Sequence, residues 1–182
     1  MTKKILTVLL SGVLTFGCVL VTSCDKNDDV DKTEMTLKEW QEYNNQWLIE
    51  QATKTNSDGT AYYQRCVMPT DPQSYVLMHR IGEEHTGNLK PLYSSTTKVN
   101  YTLKLANDSV IDNGTLETQL NSSGYISGWG LAIMQLHVGD SAQFVIPYAL
   151  GYGTAGNGVV PPYSNLQFNI RLLDITGYET RP

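Results

Sequence analysis

The segment 125–162 constrains this chain more than any other part of it. Trp129 lies between Gly128 and Gly130 in a short stretch with a helical pattern, although each glycine lowers intrinsic helix stability by about 1 kcal/mol. Packing of a buried face, rather than propensity, must therefore hold this helix. A strand and a glycine-rich loop that ends in two prolines follow it. These residues suit an apolar pocket with a tyrosine at its rim, and few of them suit a nucleophile, a metal cluster or a phosphate cradle.

The predicted helix spans 128–136 and begins after Ser127, a residue type that commonly caps helix N-termini. Trp129, Ile133 and Leu136 fall at positions i, i+4 and i+7, so they share one helix face. We expect this face to be buried and the flanking glycines to leave space beside the indole.

Stretches of alternating or β-branched residues predict most of the remaining structure. Asn113-Gly114 indicates a turn between two short extended pieces. The pattern predicts an α+β fold in which a twisted antiparallel β-sheet wraps around a short α-helix. The predicted strands are 75–81, 97–105, 142–146 and 166–175, with the shorter pieces at 110–112 and 116–120.

An N-terminal helical extension is predicted over 36–74. Thr36 and Glu39 have the spacing of a capping box, and a partly apolar stripe of helical period follows to about Thr53. The stripe includes Trp40 and Trp47. It can dock on the chain's own domain or serve as a surface for a partner, and the sequence leaves both alternatives open.

Residues 1–23 have the features of a signal peptide. Lys3 and Lys4 precede an apolar run of signal length, which is short for a membrane span. The run ends in Val-Thr-Ser before Cys24, which resembles the lipobox of bacterial lipoproteins. The polar, acidic composition of residues 24–35 predicts a flexible tether. We expect lipidation at Cys24 and attachment to the cell envelope of a Gram-negative bacterium, at the periplasmic face or the cell surface of the outer membrane. A plain secretory signal is the alternative.

Composition excludes some function classes. The net charge of −5 argues against a nucleic-acid partner, which would require phosphate neutralisation. Once Cys18 and Cys24 are set aside, Cys66 is the single remaining cysteine, so no intrachain disulfide is expected. We interpret Cys66 as an inert thiol and predict no metal site and no cofactor. A monomer is expected.

The chain over 75–175 resembles the FKBP-type peptidyl-prolyl cis–trans isomerases. The order and spacing of several short motifs together carry this resemblance, since each motif alone is weakly specific. They are Val99-Asn-Tyr101, Ile126-Ser-Gly-Trp129, Met134-Gln-Leu-His-Val-Gly139, Ile146-Pro, Gly151-Tyr152-Gly153, Val160-Pro161-Pro162 and Leu166-Gln-Phe168.

The resemblance implies a role for each matching residue. Trp129 would be the floor beneath a proline ring, and Asp112 would be a pocket carboxylate that orients a tyrosine hydroxyl. The Ile126 backbone amide and the Tyr152 hydroxyl would donate hydrogen bonds to substrate carbonyls. The remaining implied pocket residues are Tyr101, Phe168, Ile111, Leu116, Tyr125, Val159 and Val160.

The sequence departs from the family pattern along one wall of that pocket. Ile111 and Leu116 stand where the family commonly has phenylalanine, and no basic residue lies between Asp112 and Leu120 to pair with the carboxylate. We therefore expect reduced activity.

The function implied by the resemblance is isomerisation of X–Pro bonds, which would assist the folding of exported proteins. The implied partners are proline-containing polypeptides and macrolide-type inhibitors. Bond rotation needs no nucleophile or metal, which agrees with the residue types present. The alternative is a catalytically weak binding or chaperone module on a lipid anchor.

Overall fold

The computed structural model describes residues 35–178, so the predicted signal peptide, Cys24 and all but the last residue of the tether lie outside the described residues. Within the described part, no helix has both the length and the apolar character needed to cross a membrane. The elements in chain order are α1 (Leu37–Thr53), β1 (Gln64–Met68), β2 (Asp71–Ile81), β3 (Thr96–Leu105), β4 (Val110–Gln119), α2 (Ser127–Ile133), β5 (Ser141–Ile146) and β6 (Leu166–Gly177), with one 3-10 turn at Tyr148–Leu150.

The strands form a single six-stranded sheet in the order β1-β2-β5-β6-β3-β4, and every neighbouring pair is antiparallel. The short helix α2 packs against one face of this sheet, where Trp129 and Ile133 join the main hydrophobic core. Phe144 and Ile146 on β5 are fully buried in the same core. The predicted α+β class is therefore confirmed.

Helix α2 differs in detail from the prediction. Its N-cap is Ile126, and the Ser127 hydroxyl does not cap the helix but lies 3.5 Å from the Leu150 carbonyl oxygen. The α-helix ends at Ile133 rather than at 136, because the next amides form shorter-range bonds, such as Leu136 N to Ile133 O at 3.0 Å. Leu136 is nevertheless fully buried, as its spacing predicted.

Gly128 allows α2 to approach β5 closely. A Cβ atom at this position would lie 2.3 Å from Cγ2 of Ile146 and 3.1 Å from the Leu150 carbonyl oxygen. Gly128 therefore removes a side chain that would separate the helix from the sheet.

Two strand predictions need correction. β4 is continuous from Val110 to Gln119, and Asn113-Gly114 is not a turn, because these residues pair with Thr102 and Tyr101 of β3. Strand β1 was missed, since only Cys66 of its five residues is buried and its sequence does not alternate. Burial raises the pKa of the Cys66 thiol, which disfavours a reactive thiolate.

Helix α1 begins with the predicted capping box, in which the Glu39 amide donates to Thr36 Oγ1 and the Thr36 amide donates to the Glu39 carboxylate. The helix docks on its own domain: Trp40 is buried in the main core, and Trp47 packs against a second buried cluster formed by Tyr63, Leu77 and Val145. Leu77 and Val145 pair with each other across β2 and β5, and the residues on either side of each one in the chain belong to the main core. Because successive side chains of a strand point to opposite faces, Leu77 and Val145 lie on the sheet face opposite α2.

The boundary predicted before Tyr75 falls inside β2, which begins at Asp71. Strand β1 pairs with β2 in the same sheet. Residues 64–68 and 71–74 thus belong to the sheet, with a turn at 69–70 between them, and not to a helical extension.

Asp140 is a buried carboxylate that connects three parts of the chain. It is 0% exposed, and it accepts hydrogen bonds from Arg80 Nη1 on β2 at 2.5 Å, from the His85 amide at 2.8 Å and from the His137 amide at 2.9 Å. Burial alone raises the pKa of Asp140, but the hydrogen bonds from His137 and His85 and the Arg80 charge together lower it below its usual range.

We predict that Asp140→Asn lowers the free energy of unfolding by about 3 kcal/mol at pH 7. The Arg80 guanidinium would then face a neutral amide, whose NH2 group cannot accept a hydrogen bond as the carboxylate oxygen does. The folded-state pKa lies below the unfolded value of 3.8, so this stabilisation is present above pH 3.8 and is lost as the pH falls further. Urea unfolding of both proteins from pH 7 to pH 3 measures it. Asp174→Asn, at an exposed site, is the control. A difference that stays constant with pH would contradict the assignment.

Candidate functional site

A concave pocket of about 160 Å³ lies where β3, β4 and β6 meet the N-terminal end of α2. This volume is below the ~300–1,000 Å³ of typical drug-sized sites, so the pocket suits a single small ring. Its lining residues are Tyr101, Leu103, Asp112, Leu116, Gly124, Tyr125, Ile126, Trp129, Tyr152 and Phe168.

Aromatic rings form the base of the pocket around Trp129, which is 3% exposed. The Tyr101 ring meets the indole edge to face at 5.7 Å between centroids, and the Phe168 ring does so at 5.4 Å. Tyr125 lies nearly parallel to the indole at 6.4 Å. Aromatic pairs prefer such edge-to-face and offset arrangements, so the floor is a rigid apolar surface.

The polar side of the pocket is built around Asp112. Its carboxylate accepts a hydrogen bond from the Tyr101 hydroxyl at 2.5 Å and another from the Asn113 amide at 2.8 Å. Burial and the hydrogen bond to Asp112 raise the pKa of Tyr101 to about 12. Burial, and then the Asp112 charge, also raise the pKa of Tyr152. Both phenols therefore remain protonated donors at neutral pH.

Two further donors at the pocket have no acceptor among residues 35–178. They are the Ile126 backbone amide and the Tyr152 hydroxyl. The indole Nε1 of Trp129 is also buried without an oxygen or nitrogen partner in that range. Within the described part of the chain, no histidine or cysteine lines the pocket. The arrangement can bind an apolar ring and donate to carbonyl oxygens.

The structure brings most of the predicted site residues together. The eight that line the pocket are Tyr101, Asp112, Leu116, Tyr125, Ile126, Trp129, Tyr152 and Phe168. Three predicted wall residues are absent from the lining: Ile111, Val159 and Val160.

The reasons for these absences are local. In the β3–β4 register, Leu103 pairs with Asp112 and Lys104 with Val110, so Ile111 is an extra residue in a β-bulge. A bulge changes the direction of its side chain, and Ile111 packs against the core.

Val159 and Val160 lie in a tight turn that places their side chains in different environments. The Asn157 amide donates to the Val160 carbonyl oxygen, and the Val160 amide donates to Asn157 Oδ1. This turn leaves Val159 70% exposed and buries Val160 to 1% in the core.

Sequence reasoning missed Leu103 and Gly124 as lining residues. Leu103 lies two positions after Tyr101 on β3, and residues two apart on a strand share one face. This alternation could have identified Leu103 as a lining residue. Nothing in the sequence distinguished Gly124 from other loop glycines.

One cluster outside the pocket could offer metal ligands. Glu84, His137 and Asp140 place three ligand atoms within 4.8 Å of one another. Arg80 already engages both Asp140 and Glu84 with its guanidinium, so a positive charge occupies this position and we assign no metal to it.

Comparison with known proteins agrees with this geometry. Residues 87–173 match the family model of FKBP-type peptidyl-prolyl cis–trans isomerases. The chain is 34% identical over 95 residues to FK506-binding protein 1 of Eremothecium gossypii, a match that covers 49% of this chain and 83% of that protein. The chain belongs to the FKBP-type peptidyl-prolyl cis–trans isomerase family.

The bacterial relatives are longer than the region over which this chain matches them. A probable FKBP-type isomerase of Haemophilus influenzae is 38% identical over 54% of this chain, and FkpA of Escherichia coli is 30% identical over 74% of it. These matches span only 42% and 44% of the relatives. The fold also matches a crystal structure of a peptidyl-prolyl cis-trans isomerase from Pseudomonas syringae, with a TM-score of 0.63, 20% identity, and coverage of 79% of this chain and 98% of that one.

We predict that stability falls between pH 10 and pH 12 and that Tyr101→Phe reduces this fall. The folded-state pKa of Tyr101, about 12, exceeds the unfolded value of 10, so its stabilisation is complete below pH 10 and is lost as the pH rises through 12. Chemical unfolding at pH 9, 10 and 11 measures the effect. Tyr63, whose pKa burial also raises to about 12, makes a similar contribution. An identical alkaline loss in wild type and Tyr101→Phe would contradict the Tyr101–Asp112 bond.

Proposed function

We propose that this protein is a peptidyl-prolyl cis–trans isomerase that acts through the Trp129 pocket. The observation that carries the proposal is a buried aromatic floor flanked by two donors without acceptors in the described residues. The rotation of an X–Pro bond has a barrier of about 18–20 kcal/mol, which arises from amide resonance and not from a bond that must break. Catalysis therefore needs preferential binding of the twisted amide, and no nucleophile.

The chain's residues divide this task between them. The proline ring packs on the Trp129 indole, and Tyr101 and Phe168 close the sides. The Ile126 amide and the Tyr152 hydroxyl hold the carbonyl oxygens on either side of the rotating bond. Removing water from the imide lowers the stability of its charge-separated, planar form, which favours the twisted one.

The Asp112 side of the pocket limits this activity. β4 passes from Asp112 to Leu116 as a plain strand, and the exposed Asp112 carboxylate has Tyr101 as its side-chain partner. This wall makes fewer aromatic contacts than the family pattern, with its phenylalanines, would provide. It therefore supports the second candidate function, a binding or chaperone module that holds proline-containing segments with little rate enhancement.

The deciding experiment is a prolyl isomerisation assay on a Pro-containing peptide, with and without FK506. We predict that Trp129→Leu reduces kcat/KM by about 10- to 100-fold and that Tyr152→Phe reduces it by about three- to tenfold, since each tenfold corresponds to about 1.4 kcal/mol. Both variants must keep the wild-type unfolding transition. Gln46→Ala, on the exposed face of α1, is the matched control.

The outcomes separate the two functions. Peptide-dependent quenching of tryptophan fluorescence without rate enhancement in the wild type would favour the binding module. Absence of both binding and catalysis by correctly folded protein would refute both proposals.

We further propose that the protein is anchored by lipid at Cys24 in a Gram-negative envelope, where it assists the folding of exported polypeptides. The apolar run before Cys24 and the polar residues after it support this. Cys24→Ala should abolish incorporation of labelled palmitate and shift the protein from the membrane to the soluble fraction. Unchanged fractionation and labelling would contradict the anchor.

A further inference from the structure

We infer that helix α1 is part of the pocket's supporting structure, and that Asn44 and Trp40 are positioning residues for Tyr152. They act by fixing the segment 148–165, which carries Tyr152 to the pocket rim. Helix α1 lies outside the residues matched by the family model, which begin at 87. The inference rests on the proposed function of the pocket.

The first link joins Asn44 to Asn165. Both residues are 0% exposed. Asn44 Oδ1 accepts a hydrogen bond from the Asn165 amide at 2.8 Å, and the Asn44 carbonyl oxygen accepts one from Asn165 Nδ2 at 2.6 Å. Asn165 Oδ1 in turn accepts from the Tyr148 amide at 2.9 Å. A continuous chain of hydrogen bonds thus runs from α1 to Tyr148 at the beginning of the segment, four residues before Tyr152.

The second link joins Trp40 to the end of the segment. The Trp40 indole Nε1 donates to Ser164 Oγ at 3.0 Å, and this hydroxyl donates to the Pro161 carbonyl oxygen at 2.7 Å. Both Trp40 and Ser164 are buried. The turn that contains Val159 and Val160 is therefore connected to α1 through Pro161, the residue that directly follows the turn.

Contacts within the segment carry this constraint to Tyr152. Tyr163 has a φ of 61°, a backbone conformation that is uncommon outside glycine and must be held by its surroundings. Its amide donates to the Gly153 carbonyl oxygen at 3.0 Å, and the Gly153 amide donates to the Tyr148 carbonyl oxygen at 2.8 Å. Gly153, the residue next to Tyr152, is thus hydrogen-bonded to Tyr148 and Tyr163, near the two ends of the segment.

The choice of a polar residue at Asn44 supports a positioning role. A buried amide is costly unless it is hydrogen-bonded, and an apolar side chain would fill the same space without that cost. Asn44 satisfies its acceptor with Asn165 and its donor with the Trp40 carbonyl oxygen at 3.0 Å. Directional bonds hold one arrangement of the segment, which apolar contact alone does not specify.

The test measures catalysis and stability for Asn44→Ala and Trp40→Phe, each with Tyr152 intact and with Tyr152→Phe. Trp40→Phe keeps an aromatic ring in the core and removes the indole donor, so it serves where Asn44→Ala fails to fold. We expect Asn44→Ala to lower kcat/KM by about three- to tenfold and Trp40→Phe by about two- to threefold, since small displacements of catalytic groups have effects of this size or larger. Gln46→Ala on the exposed face of α1 should have no effect.

The Tyr152→Phe background distinguishes positioning from general stability. If α1 acts through the Tyr152 hydroxyl, both substitutions should change kcat/KM by less than twofold once that hydroxyl is absent. Equal losses in both backgrounds, or wild-type activity of folded Asn44→Ala and Trp40→Phe, would overturn the inference.

Amide hydrogen exchange tests the same inference without requiring activity. In Asn44→Ala and Trp40→Phe, the Gly153 and Gly156 amides should exchange faster, while the amides of β5 and β6 remain unchanged. If the wild type lacks isomerase activity, the proposed function fails, and this local change would still support positioning by α1. Uniformly faster exchange, or no change in the segment, would contradict it.

Discussion

The close packing of α2 on β5 is the contact on which the pocket depends. The helix has only seven residues, no side-chain cap and two glycines, so it is too weak to persist alone. Gly128 lets its backbone reach Ile146, and every residue of the helix except Ser127 is buried. Trp129 is consequently presented between Tyr101 of β3 and Phe168 of β6. An apolar contact on one side of the helix thereby creates the binding surface on the other.

Buried polar groups hold the connections that this packing leaves undefined. Asp140 ties the beginning of β5 to Arg80 on β2, and Asn165 ties the segment after Tyr148 to helix α1. Each is fully buried and satisfied by several donors or acceptors. Such groups are costly when unpaired, so they permit few alternative arrangements of the loops they join. The core supplies stability, and these polar groups define where the rim of the pocket lies.

Much of the fold was predictable because its signals are local. Alternation over 97–105 and 166–175 identified β3 and β6, and the Thr36–Glu39 spacing identified the beginning of α1. The errors occurred where a distant partner determines the conformation. Asn113-Gly114 has the sequence of a turn, but pairing with β3 keeps it extended. Strand β1 forms by pairing with β2, and its own five residues give no comparable signal.

The sequence by itself indicated the class of fold and the beginning of α1, and its resemblance to the family pointed to most of the residues that line the pocket, including Trp129, Tyr152 and Asp112. The structure alone identified Tyr101 as the tyrosine that Asp112 orients. Tertiary structure alone decided which neighbours of these residues face the pocket. Ile111 turns away because the register with β3 inserts a bulge there, and Val160 enters the core because Asn157 closes a turn around it. Residue types and spacing record side-chain chemistry, whereas side-chain direction depends on backbone partners that are remote in the chain.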